Sequence, residues 1–246
     1  SATSTIRSGT TLKPTITSRE VSDEQGVGRC YQFAYSRNGV TMKHLLTFYA
    51  DRPYMTASVA LESNEGTELE SRQMVAMAVD GESRPFNGVS NRVLWVPFDN
   101  DGHVKYNNFT LNNSETTSHE VTAIFDGESR YGLVVGSIDH DTWKSGIKIK
   151  GKDGCILSTL QCLSGYTSDY TRDGRRHGKV CGTEITSARY FIGMYDDWRE
   201  GLNAFASANA LVATPAEWTK GNPIGWSSWG VMQTVVNYKG VEATAR

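Results

Sequence analysis

Apolar and polar positions alternate along most of this chain, with the two-residue period of half-buried strands. Met55-Thr56-Ala57-Ser58-Val59-Ala60-Leu61-Glu62 shows the pattern, and Ile147-Lys148-Ile149-Lys150 repeats it before the turn Gly151-Lys152-Asp153-Gly154 and the run Cys155-Ile156-Leu157. That second stretch predicts a hairpin. Another hairpin is expected from Val121–Phe125, the turn Asp126-Gly127-Glu128-Ser129, and the return run Tyr131–Ile138. Within it, Gly132-Leu133-Val134-Val135-Gly136 is apolar at both parities, which predicts a central strand covered on each face. Further strands are expected at Cys30–Tyr35, His44–Tyr49, Met74–Val79, Val93–Pro97, Lys105–Leu111 and Ala188–Tyr195. Short strands parted by Gly, Asp and Asn turns, with almost no helical period, point to a large antiparallel sandwich.

The period changes after Tyr195. Asp196 or Asp197 can cap a helix, and Glu200 stands at capping-box distance from Asp197. Trp198, Leu202, Phe205, Ala206, Asn209 and Val212 then follow at helical spacing, and the helix should stop before Thr214-Pro215. The pentapeptide Asp-Gly-Glu-Ser-Arg occurs at 80–84 and again at 126–130. Its flanks differ, so it reads as two similar turns rather than an internal repeat.

The 246 residues carry 25 Lys+Arg against 27 Asp+Glu, a formal net charge of -2. That balance removes any general electrostatic case for nucleic acid or an anionic membrane. The length suits one or two domains with a sizeable core. No window approaches the roughly 18–20 apolar residues of a membrane span. Ser1-Ala2-Thr3-Ser4-Thr5 has neither the charged start nor the apolar stretch of an export signal, although one removed beforehand would leave no trace. Cys30, Cys155, Cys162 and Cys181 contain no Cys-x-x-Cys pair, so a structural zinc site is a poor reading. The Cys155/Cys162 spacing suits neighbouring strands. One or two disulfides and four buried thiols both stay open.

Candidate chemistry is sparse in most of the chain. Asp99-Asn100-Asp101-Gly102 alternates carboxylates like a calcium loop, but the twelfth position is Thr110, so a simple loop turn is favoured. Asp139-His140-Asp141 offers acid–base or ligand groups, yet adjacent side chains of an extended strand diverge. Asp173-Gly174-Arg175-Arg176-His177-Gly178-Lys179 is basic and glycine-rich without a Walker pattern, and reads as a solvated loop. The segment Gly225–Gly230 differs from these. Two tryptophans three apart, flanked by small residues, suit indole rings facing an open pocket, where the C–H-rich face of a sugar stacks.

Pro223-Ile224-Gly225-Trp226-Ser227-Ser228-Trp229 resembles the Gly-Trp-[Asn/Cys/Ser]-Ser-Trp signature that opens the catalytic barrel of melibiase-type α-galactosidases and their raffinose-synthase relatives. Val96–Asp101 with Tyr106, Gly136–Lys144 and Asp197–Leu202 resemble stretches of bacterial members. The resemblance implies a galactose-mutarotase-like β-supersandwich over 1–195, a linking helix and linker over 196–222, and the first strand of a (β/α)8 barrel over 223–246. It implies no catalytic residue in this chain. Retaining hydrolysis of α-galactosides would fall to two aspartates on later barrel strands, about 5–5.5 Å apart. Trp229 would line the galactose pocket, and Trp226, its partner in the signature, would pack beside it as the second substrate-side residue. Gly230 departs from the pattern, since a larger or acidic residue often follows the signature.

After Gly225 the sequence has 21 residues, against about 250 for a whole barrel. The chain is therefore expected to be inactive alone. No cofactor and no metal are expected. The implied partner is an oligosaccharide or galactoside in the complete enzyme, with no nucleic acid and with a homo-oligomer allowed. The implied setting is bacterial and periplasmic or otherwise extracytoplasmic. Two rival readings stand beside this one. The first is a stand-alone carbohydrate-binding sandwich. The second is a mutarotase-type epimerase, which needs a His/Glu pair converging in a pocket, whereas His44, His103, His119, His140 and His177 form no recognisable motif.

Overall fold

A computed structural model describes residues 13–98, 105–166, 178–221, 225 and 227–245. The strands are β1 Thr15–Asp23, β2 Gly26–Arg37, β3 Val40–Tyr49, β4 Tyr54–Ser63, β5 Leu69–Ser71, β6 Met74–Ser83, β7 Asn91–Trp95 and β8 Asn107–Thr110. They continue as β9 Thr116–His119, β10 Val121–Asp126, β11 Gly132–Ser137, β12 Ser145–Lys152, β13 Ile156–Ser164, β14 Val180–Gly182, β15 Glu184–Thr186 and β16 Tyr190–Tyr195. A large sheet runs β1-β2-β3-β4-β16-β11-β10-β7-β8, with β15 also paired to β4. A four-stranded sheet runs β6-β13-β12-β9, and β14 pairs with β5. Every strand pair described is antiparallel. The expected mainly β, antiparallel sandwich is what forms.

Alternation sends neighbouring residues of the large sheet into two cores. Ile124, Val135 and Tyr190 face the four-stranded sheet and meet Ile147, Ile149, Leu160 and Cys162. Their neighbours Ala123, Phe125, Val134 and Phe191 face the other way and meet helix α1, Trp198–Val212. The apolar run at 132–136 is thus β11, covered on both faces as its sequence requires.

Helix α1 opens at Asp197, whose carboxylate accepts from the backbone N–H of Arg199 at 3.0 Å. Trp198 then stacks on Phe125 at 4.5 Å between ring centroids, and Phe205 meets Phe191 edge-on at 5.8 Å. Two glycines set how closely the helix approaches. A Cβ at Gly136 would lie 2.5 Å from the Phe205 ring, and one at Gly201 would lie 2.6 Å from Val134. Fully buried Gln25 fixes the far end of the helix. Its amide donates to the Ala208 carbonyl at 3.0 Å, and its oxygen accepts from the Tyr54 hydroxyl at 2.7 Å.

The four cysteines are free thiols, and Cys181 alone among them is exposed. Cys155 lies in the turn before β13 and Cys162 well along that strand. They are not on neighbouring strands, and at ~3.3 Å per residue they stand too far apart to bridge.

The chain divides into two units, Ser1–Thr214 and Pro215–Arg246. The helix expected to begin a linker at 196 packs on the sheet and belongs to the first unit. In the second unit the Gly-Trp stretch that would open the barrel strand expected over 223–246 lies largely outside the described residues, and the regular elements described after it are helical. They are α2 Trp229–Met232, a 3-10 turn Gln233–Val235, and α3 Tyr238–Ala245. A parallel strand satisfies its backbone through neighbours on each side. This segment satisfies its own locally, with Met232 N–H donating to the Ser228 carbonyl at 2.7 Å and Gly240 N–H to the Asn237 side chain at 3.0 Å. No described helix is long and apolar enough to cross a membrane.

Alanine in place of glycine within a helix ordinarily stabilises by about 1 kcal/mol. Gly201→Ala is expected to do the reverse here, costing about 1–3 kcal/mol through overpacking against Val134 and Tyr195. Urea unfolding of the variant tests this, and an unchanged or raised midpoint would show that α1 shifts outward freely.

Candidate functional site

Among the described residues, those singled out by the sequence do not converge. Trp226 lies outside the described residues. Trp229 is the first residue of α2 and is 65% exposed. Its backbone N–H donates to Ser227 Oγ at 3.4 Å. Trp218 and Tyr238 of the same unit are also exposed. An exposed indole offers a stacking face, but a sugar pocket also needs polar groups converging beside it.

The histidines occupy separate places. His44, on β3, is half-buried, with Nε2 unpartnered. Burial lowers its pKa, partly opposed by a hydrogen bond to the Ala76 backbone. His119 ends β9 with Phe98 and Tyr166 rings 5.4 and 5.6 Å away. It is 6% exposed, and its Nδ1 has no partner. Burial, reinforced by the Lys144 ammonium, pushes its pKa down to about 4. Lys144 in turn sits 3.8 Å above the Phe98 ring. His140 is the described histidine beside a carboxylate, with Nδ1 4.0 Å from Glu120, yet both side chains are open to solvent. Its Nε2 meets Asn209 of α1 at 2.7 Å, so it fastens the helix to the sheet. His103 and His177 lie outside the described residues, as do Asp99–Gly102 and Asp173–Arg176.

Stretches that carried the resemblance do structural work. Asp139 grips Arg189 through both carboxylate oxygens, at 2.7 Å for the closest pair, and Arg189 also meets Glu24 at 2.5 Å. Trp143 is buried and donates its indole N–H to the Thr186 carbonyl at 2.8 Å. Glu68, Glu70 and Cys181 bring ligand atoms together at an exposed edge, but Lys179 already pairs with Glu70 there. That trio is a surface ion-pair cluster.

A cavity was missed by sequence reasoning. It holds about 240 Å³ and is lined by Arg84, Phe86, Asn87, Asp126, Ser129 and Tyr131, among others. The two Asp-Gly-Glu-Ser-Arg stretches meet here, the first through Arg84 and the second through Asp126 and Ser129. Their recurrence was the available signal: the second copy is the expected turn after β10, whereas the first forms the end of strand β6 with Arg84 just beyond it, not a turn.

The sequence matches no protein-family model and no curated protein. Solved structures do resemble the fold. The α-galactosidase from Lactobacillus brevis aligns over 83% of this chain and 28% of its own, at 6% identity and a TM-score of 0.53. The galactosidase domain of the alpha-galactosidase-sucrose kinase AgaSK aligns over 74% of this chain and 25% of its own, at 8% identity and a TM-score of 0.50. A putative aldose 1-epimerase from Klebsiella pneumoniae aligns over 82% of this chain and 59% of its own, at 8% identity and a TM-score of 0.46. The likeness is one of fold, and this chain spans about a quarter of the two galactosidase chains.

His119 generates a pH prediction. Its folded pKa, about 4, lies below the roughly 6.5 of an unfolded histidine, so protonation favours unfolding. Its contribution is fully present above about pH 6.5 and is lost as pH falls toward 4. Urea midpoints measured across that window should fall less steeply in His119→Gln than in the parent chain. Parallel curves would assign the acid sensitivity elsewhere.

Proposed function

We propose that this chain is the non-catalytic N-terminal β-sandwich domain of an α-galactosidase-like glycoside hydrolase, where it supports a catalytic barrel and its sugar pocket. The observation that carries the reading is the fold match to α-galactosidases, which takes in most of this chain but only about a quarter of theirs. The order of elements supports it as well. The sandwich is followed by α1 and then by Gly225-Trp226-Ser227-Ser228-Trp229, the segment resembling a barrel-opening signature.

The chemistry of the sandwich agrees with a supporting role. Retaining hydrolysis needs two carboxyl groups about 5–5.5 Å apart flanking a bound sugar. Asp139 is held in an ion pair with Arg189, Asp126 in a turn and Asp197 in a helix cap, while the neighbouring carboxylates Glu68 and Glu70 lie on an exposed edge with Lys179 on Glu70. An epimerase needs a histidine and a carboxylate closing on one pocket, whereas His140 and Glu120 meet on an open surface. In this reading Trp229 joins the galactose pocket of the complete enzyme. Its exposure leaves the indole available to that neighbour.

The purified 246-residue chain is expected to release no nitrophenol from p-nitrophenyl α-galactoside and to leave the polarimetric interconversion of galactose anomers at its spontaneous rate. Hydrolysis by this chain would overturn the supporting role, and accelerated anomer exchange would replace it with the epimerase reading.

A further inference from the structure

The cavity between the end of β6 and the turn after β10 has the chemistry of a small polar binding site. The turn is closed by Asp126 N–H donating to the Tyr131 carbonyl at 2.9 Å, and it is tied to the start of β7 by Gly127 N–H donating to the Ser90 carbonyl at 3.1 Å. Asp126 is fixed as an acceptor. Its Oδ1 takes the Glu128 N–H at 3.0 Å and its Oδ2 the Ser129 hydroxyl at 3.0 Å, while Ser129 Oγ accepts from Tyr131 N–H at 3.3 Å. Phe86 is buried beneath, and Tyr131, 38% exposed, stands at 87° to it with centroids 5.7 Å apart. Arg84 and Asn87 are exposed, and neither side chain has a hydrogen-bond or ion-pair partner among the described residues. The cavity therefore combines an aromatic ring, a preset carboxylate and two uncommitted donors.

We infer that this cavity binds a neutral sugar of one ring, independently of the supporting role and of Trp229. Charge selects the ligand class. A phosphate or carboxylate would meet Asp126, and a cation would meet Arg84. Hydroxyl groups satisfy both, accepting from Arg84 and Asn87 while donating to Asp126. Tyr131 supplies a surface for the C–H face of the ring. Volume limits the size, because about 240 Å³ falls below the roughly 300–1,000 Å³ of sites for drug-sized molecules. The turn holds its carboxylate in place before any ligand arrives, which cuts the ordering cost of binding.

Amide chemical-shift titration of the full chain with D-galactose, D-glucose and inorganic phosphate tests the assignment. Either sugar should saturate shifts at Glu128, Ser129 and Tyr131 with a roughly millimolar dissociation constant. Arg84→Ala and Tyr131→Ala should each weaken binding about tenfold or more, with Asn87→Ala as a further variant on an exposed, unpartnered side chain. Trp229→Ala should leave the titration unchanged. Absence of saturation by both sugars overturns the inference. So does saturation by phosphate alone, or a response that survives all three cavity substitutions while vanishing in Trp229→Ala.

Discussion

The central strands of the large sheet are apolar on both faces, and that single constraint organises the molecule. A strand such as β11 cannot meet water on either side, so the fold needs two covers. The four-stranded sheet supplies one and helix α1 the other. The second cover works only at close range. Gly136 on the sheet and Gly201 on the helix leave out the atoms that would hold Phe205 and Val134 away. Packing of this kind rewards contact at van der Waals distance and forfeits much of it across a gap of less than an ångström. Gln25, the Asp197 cap and the His140–Asn209 contact then hold the helix in register with the sheet beneath it.

Most of this was readable where burial leaves a hydrophobic imprint. The double-faced run at 132–136, the alternation at 55–62 and the helical spacing after Tyr195 all correspond to formed elements. Elements without that imprint were invisible. Strand β1 is exposed along nearly its whole length and reads Thr-Ile-Thr-Ser-Arg-Glu-Val-Ser-Asp, with two apolar residues to announce it. The three-residue strands β14 and β15 are too short for any period. Segment 223–246 is a different case. Its resemblance to a strand-opening signature depends on neighbours that pair with it, and the described backbone there closes its hydrogen bonds within short helices.

Function was harder to read because it depends on convergence rather than periodicity. Asp139 and His140 are adjacent in sequence, and the fold sends one to Arg189 and the other to Asn209. Arg84 and Asp126 are more than forty residues apart and line one cavity. Nothing in a linear spacing distinguishes these cases. What the sequence did carry was the recurrence of one pentapeptide, which finishes β6 in its first copy and makes the turn after β10 in its second.

Among the described strands, the large sheet ends at β8 and at β1. At one end β8 offers only four residues. At the other, β1 presents nine residues whose outer N–H and C=O groups pair with no described strand. Such a margin invites another chain to add on. Arg19, Glu20 and Asp23 place charge along it, and any strand laid alongside would have to strip their hydration. Those three charges thus stand on a strand with no buried residue, at the point where growth of the sheet from molecule to molecule would begin.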